Sequence, residues 1–172
     1  MATLAVDKKR QFLLQGAKYA DLPVIASDIV YEGAAVGESS TNGTGRPLVA
    51  GDGFMGFAMR RCDNAAGSAN DRKIRVMTSG YVANLPVTGL DNVNDLGATV
   101  YASDDDTFTL ASTGNTAIGK VQSYDGVSGF GTVYFESVDA EKCRYLATER
   151  NEDKVIVISP EWTAIYIQSH PP

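Results

Sequence analysis

The chain has 172 residues, 44% hydrophobic and 9% aromatic, and its 21 acidic and 15 basic side chains set a formal charge of −6. That length serves one domain with a sizeable core, and the apolar share excludes wholesale disorder. An acidic chain does not suit nucleic acid, whose phosphates call for a basic field, and a single histidine, His170, leaves little material for imidazole catalysis.

The charge is unevenly spread. Residues 1–83 hold ten bases and eight acids, residues 84–136 hold Lys120 against seven acids, and residues 137–172 hold four bases and six acids. The acidic middle reads as solvated turn residues, since Asp bonds readily to its own backbone in turns. Its functional version is an acidic rim facing a basic partner.

Residues 1–19 form a lead with Lys8, Lys9 and Arg10 followed by Phe12, Leu13 and Leu14. No apolar stretch there reaches signal-peptide length, and no run in the chain reaches the length of a membrane span. The lead reads either as a frayed terminus or as an arm that orders on a partner.

Short strands separated by turn residues come next. Asp28–Tyr31 leads into the Glu32-Gly33 turn, and residues 37–45 (GESSTNGTG) read as a long exposed loop. Pro47–Ala50 precedes the turn Gly51-Asp52-Gly53. Residues 54–61 place Phe54 and Met59 on opposite faces, which predicts burial on both sides or a bulge at Gly56. In Lys73–Met77, Ile74 and Val76 share one face and Lys73 and Arg75 the other. Tyr81–Leu85 follows a break at Ser79-Gly80. Residues 98–102 and 107–111 flank Asp104-Asp105-Asp106 as a predicted hairpin with a solvated turn, and residues 117–121 and 131–135 supply two more strands. Such frequent turn signals predict an all-β fold, a compact β-sandwich or small β-barrel.

Residues 137–172 read as a C-terminal β addition, with Val155–Ile158 and Trp162–Ile167 as a hairpin. Trp162 and Tyr166 share a face of its second strand, where they serve either as core or as a partner anchor. Cys62 and Cys143 lie in no paired-Cys motif, so free thiols and a disulfide both remain open.

Motifs for chemistry are lacking. The triplet Asp104–Asp106 and the cluster Asp91–Asp95 offer oxygen ligands but no calcium-loop pattern. The Gly-rich turns lack the context of a nucleotide fingerprint, and there is neither a Gly-x-Ser-x-Gly elbow nor a Ser-x-x-Lys pair. The expectation is a non-enzymatic protein with no cofactor and no metal. The basic groups Arg60-Arg61 and Arg72-Lys73-Arg75 read as ion-pair partners or a docking patch.

One ordered series of motifs remains. It runs through Leu22-Pro23-Val24, residues 29–37 (IVYEGAAVG), residues 46–52 (RPLVAGD), Gly56-Phe57-Ala58 and residues 63–67 (DNAAG). It continues through Ile74-Arg75-Val76, residues 85–89 (LPVTG), residues 100–105 (VYASDD) and residues 114–121 (GNTAIGKV). This series resembles the structural cement, or head decoration, proteins of tailed bacteriophages. The resemblance covers residues 20–136 and implies a compact β-rich domain there; the N-terminal arm over 1–19 and the C-terminal extension over 137–172 lie outside its pattern. It further implies binding to the outer surface of a capsid, with the major capsid protein as partner, after synthesis in the bacterial host cytoplasm. It implies a homo-oligomer, a trimer first, and no catalytic residue; the acidic charge and the short apolar runs add the expectation of no nucleic-acid partner and no membrane. The candidate partner-binding residues are Lys8, Lys9, Arg10, Phe12, Leu13, Trp162 and Tyr166. The alternative is a virion-surface β-sandwich module that binds carbohydrate or acts in adhesion.

Overall fold

A computed structural model describes residues 4–39 and 43–137 of the chain, and its regular elements are β-strands apart from one 3-10 turn at Val93–Asp95. The long strand β7 (Lys73–Pro86) is the axis of the sheet. One edge pairs antiparallel with β1 (Gln11–Pro23), from Lys73 opposite Pro23 to Ala83 opposite Gln11. The other edge is divided. Val76 and Met77 pair with β5 (Gly53–Ala58), while Ser79 to Pro86 pair with β11 (Phe130–Glu136).

Two wings grow from that division. One runs from β5 through β3 (Ala35–Ser39) to β4 (Thr44–Pro47). The other runs from β11 through β10 (Thr116–Tyr124) and β8 (Thr99–Ala102) to β9 (Phe108–Thr109). Each wing curls back toward the axis strands. A single bridge joins Val24, just past β1, to Gly45 of β4, and another joins Thr88, just past β7, to Thr109 of β9. A separate ladder pairs β2 (Ile29–Val30) with β6 (Cys62–Asp63).

Two apolar clusters account for the alternation in the sequence. The larger includes Phe54, Phe57, Val82, Leu85, Ile118, Val133 and Phe135, and the smaller includes Leu22, Val24, Val36, Met55, Ile74 and Val76. Strand β5 serves both, sending Phe54 and Phe57 into one and Met55 and Ala58 into the other. The ladder slips at Gly56, which has φ of 128°, and a side chain there would strike the Met77 carbonyl. Burial on both sides and a bulge therefore occur together.

Three expectations need adjusting. Much of the segment expected to be an exposed loop over residues 37–45 belongs to the hairpin β3–β4, which ends with Ser39 opposite Thr44, both buried. Its glycines permit close packing, because a side chain at Gly37 would crowd Asp52. The break expected at Ser79-Gly80 lies inside the continuous strand β7. The boundary expected between residues 19 and 20 falls inside β1, whose first half is held by backbone pairing to β7. The expected extension over 137–172 lies outside the described residues beyond Ser137.

Candidate interaction face and the anchor of the N-terminal segment

The acidic triplet, expected to be a solvated turn, is largely buried: Asp104 is 6% exposed and Asp105 is 0% exposed. Asp104 keeps the local role of a turn aspartate, because Oδ1 accepts the N–H groups of Asp106 and Thr107. The other two carboxylates hold the N-terminal segment. Asp105 Oδ1 accepts the Leu4 N–H at 3.0 Å, and the Asp105 carbonyl accepts the Ala35 N–H at 2.8 Å. Asp106 pairs with Lys8 Nζ at 2.9 Å and with Arg10 Nη2 at 2.5 Å.

Arg10 is the most enclosed of these cations, with 4% of its side chain exposed. Its guanidinium carbon lies 5.4 Å from the Phe57 ring centre and 5.0 Å from that of Phe108, and its Nε donates to the Gly33 carbonyl. Burial lowers the Arg10 pKa, and Asp106 offsets part of that effect. Asp105 has its pKa pushed up to about 6, first by burial and then by its neighbours Asp104 and Asp106, against the Leu4 N–H bond. Farther along, the Lys8 N–H donates to the Glu32 carbonyl and the Glu32 N–H to Asp7, so residues 4–10 lie along the turn before β3.

The candidate partner-binding residues of the lead are thus divided. Arg10 is enclosed, and Phe12 packs against Phe57 and Phe135 with ring centres 5.8 and 6.2 Å apart. Neither presents its side chain freely to a partner, since an ion pair and a core contact already occupy them. Lys8 is half-exposed beside Asp106, while Lys9 and Leu13 are exposed. Trp162 and Tyr166 lie outside the described residues, as do Cys143 and His170. Cys62 is a buried free thiol whose pKa burial raises.

Pairing register reveals a row that strand patterns alone could not. Leu13 lies opposite Tyr81, Tyr81 opposite Tyr134, and Tyr134 opposite Lys120, so all four share the outer face across β1, β7, β11 and β10. The Tyr81 and Tyr134 rings are 5.2 Å apart and tilted by 55°. Burial, followed by the neighbouring Glu136, raises the Tyr134 pKa. At the end of this row, β1 loops out between Leu13 and Lys18, leaving Leu14 at 67% exposure and Gly16 at φ of 69°. Among the described residues, the edge of β1 away from β7 pairs with no strand from Gln11 to Tyr19. The sequence placed Tyr134 in a strand over residues 131–135, and only register set it beside Tyr81 on the outer face.

The remaining sequence candidates take structural places. Asn92 and Asp95 form a reciprocal capping box around the 3-10 turn, so their oxygens are spent on backbone N–H groups. Arg61 pairs with Asp63 and lies over the Tyr31 ring, and Arg75 lies over Tyr19. Among the described residues, no three His, Cys, Asp or Glu side chains are grouped to hold a metal ion. No helix of the described chain is long and apolar enough to cross a membrane. No known family model, curated protein or solved structure matches this chain.

Proposed function

We propose that the chain is a structural cement protein that binds the outside of a tailed-phage capsid and braces neighbouring major capsid subunits. The observation that carries this reading is the outer row Leu13–Tyr81–Tyr134, which ends at the unpaired edge of β1 beside exposed Leu14. Aromatic side chains at the centre of a contact, with an open strand edge at its side, suit burial against another protein surface. The motif series over residues 22–121 supplies the partner, and it adds a homo-oligomer with the trimer first. Repetition around a shell multiplies modest contacts into firm attachment.

The test mixes the protein with capsids built from the major capsid protein that accompanies it and follows co-sedimentation and heat resistance. Stoichiometric binding with raised heat resistance is expected. Leu14→Asp should weaken binding at least tenfold, about 1.4 kcal/mol, with its melting temperature unchanged. Absence of wild-type binding overturns the proposal. A carbohydrate-binding module on a virion is the second reading, favoured by the same tyrosine pair, and binding to glycans but not to capsids would select it.

A further inference from the structure

Residues 4–10 have a single polar connection at their start, and it is an unusual one. The Leu4 N–H donates to a carboxyl group that is 0% exposed, while the other oxygen of that group, Asp105 Oδ2, is buried without a hydrogen-bond partner. A buried carboxylate normally has cations or several N–H groups around it. Here the only donors among the described residues are the Leu4 N–H and the backbone N–H of Asp105 itself, and two of the segment's three cations, Lys8 and Arg10, bond instead to Asp106.

We propose that residues 4–10 are a proton-sensitive strap, held down on the domain by neutral Asp105 and loosened when that carboxyl ionises. The charged groups around it set the direction. Its own turn contributes Asp104 and Asp106, which oppose a further negative charge. The strap contributes Arg10, whose attraction is shared with Asp106, and Lys8, which points to Asp106. From the adjoining turn, Glu32 is met by Asp7 at its backbone N–H, and Asp52 is engaged by Arg46 at 2.7 Å. The apolar side of the strap is Leu4, which joins the smaller core cluster with Ala34 and Val36.

The sign follows from linkage. Undocking exposes Asp105 to water and removes the burial that raises it to about 6, which moves it back toward the ordinary value of 3.8, so protons favour docking. The docked strap is at its firmest below about pH 4, loses ground as the pH rises toward 6, and stays weaker above it. The full difference sets an upper limit of roughly a hundredfold on the change in the opening equilibrium, since Asp104 and Asp106 stay beside Asp105 after undocking.

Hydrogen exchange of the intact protein tests this, with peptides spanning residues 4–10 and rates corrected for intrinsic pH dependence. Protection of the strap should fall severalfold, up to about twenty-five-fold, from pH 4.5 to 7.5, while β10 and β11 hold theirs. Asp105→Asn should remove the pH dependence. Asp106→Asn should lower protection at both pH values and keep the dependence. A carbon NMR titration of the wild-type Asp105 carboxyl provides a variant-free reading, with a midpoint near 6 expected. Equal protection at both pH values, persistence of the dependence in Asp105→Asn, or a midpoint near 4 overturns the proposal.

Discussion

Arg10 joins three kinds of interaction that rarely coincide in one side chain. Its charge meets Asp106, its faces meet Phe57 and Phe108, and its Nε meets the Gly33 carbonyl. Truncation leaves that carbonyl and Asp106 with fewer partners in a partly buried place. Arg10→Ala should therefore destabilise the protein by about 3 kcal/mol in urea denaturation, near the lower end for a broken buried pair because Lys8 still faces Asp106. Arg10→Met, which keeps the apolar stem, should cost less. Equal stability of Arg10→Ala and wild type would show that Lys8 alone neutralises the turn. The same logic makes the triplet different from its neighbour at Asp91–Asp95. Both are acidic in sequence, yet one caps an exposed turn and the other anchors a distant segment.

Among the elements, β5 and β1 carry the most information about how the molecule is built. Strand β5 buries both faces, and the bulge at Gly56 is what lets consecutive residues reach different cores. Gly56→Ala should cost more than about 2 kcal/mol in thermal or urea unfolding, since it adds an unfavourable φ to a clash with Met77. A cost below about 0.5 kcal/mol would mean the ladder repacks without the bulge. Strand β1 changes how the lead should be tested. Deleting residues 1–19 removes Arg10, Phe12 and half a strand, so lost capsid binding would then follow from lost structure. A point substitution at exposed Leu14 separates the two.

At the scale of the whole molecule, β7 and β5 tie the two cores into one unit. Ile74 and Val76 of β7 face the smaller cluster, while Met77, Val82 and Leu85 face the larger. Unfolding should accordingly occur in one transition, with the same midpoint for exchange in β3 and in β10. Met77→Ala should lower both midpoints together by 2–5 kcal/mol of stability, about what a buried methionine contributes. Separate midpoints would mean that the wings fold independently. The charge pattern also changes meaning at this scale. Three of the seven acids in residues 84–136 form the triplet, and two of those hold the N-terminal segment. The expected acidic rim is smaller than the sequence count suggests.

The all-β class was legible because alternation depends only on which side of a strand a residue faces. Ile74 and Val76, the hairpin around residues 103–107 and the bulge at Gly56 were readable for that reason. Strand β1 was not, because the side chains of its first half are mostly exposed and its pairing with β7 is made by backbone groups that carry no pattern. Strands β3 and β4 were hidden by glycines whose reason is close packing against distant residues such as Asp52. The outer row and the strap were beyond local reading for the same cause. Tyr81 meets Tyr134 only through register, and Leu4 meets Asp105 across 101 positions of chain. By itself the sequence determined the strand composition and the poverty of catalytic motifs. Only the tertiary structure decided which carboxylates face water and which are buried as anchors, because burial is set by what the folded chain lays over them.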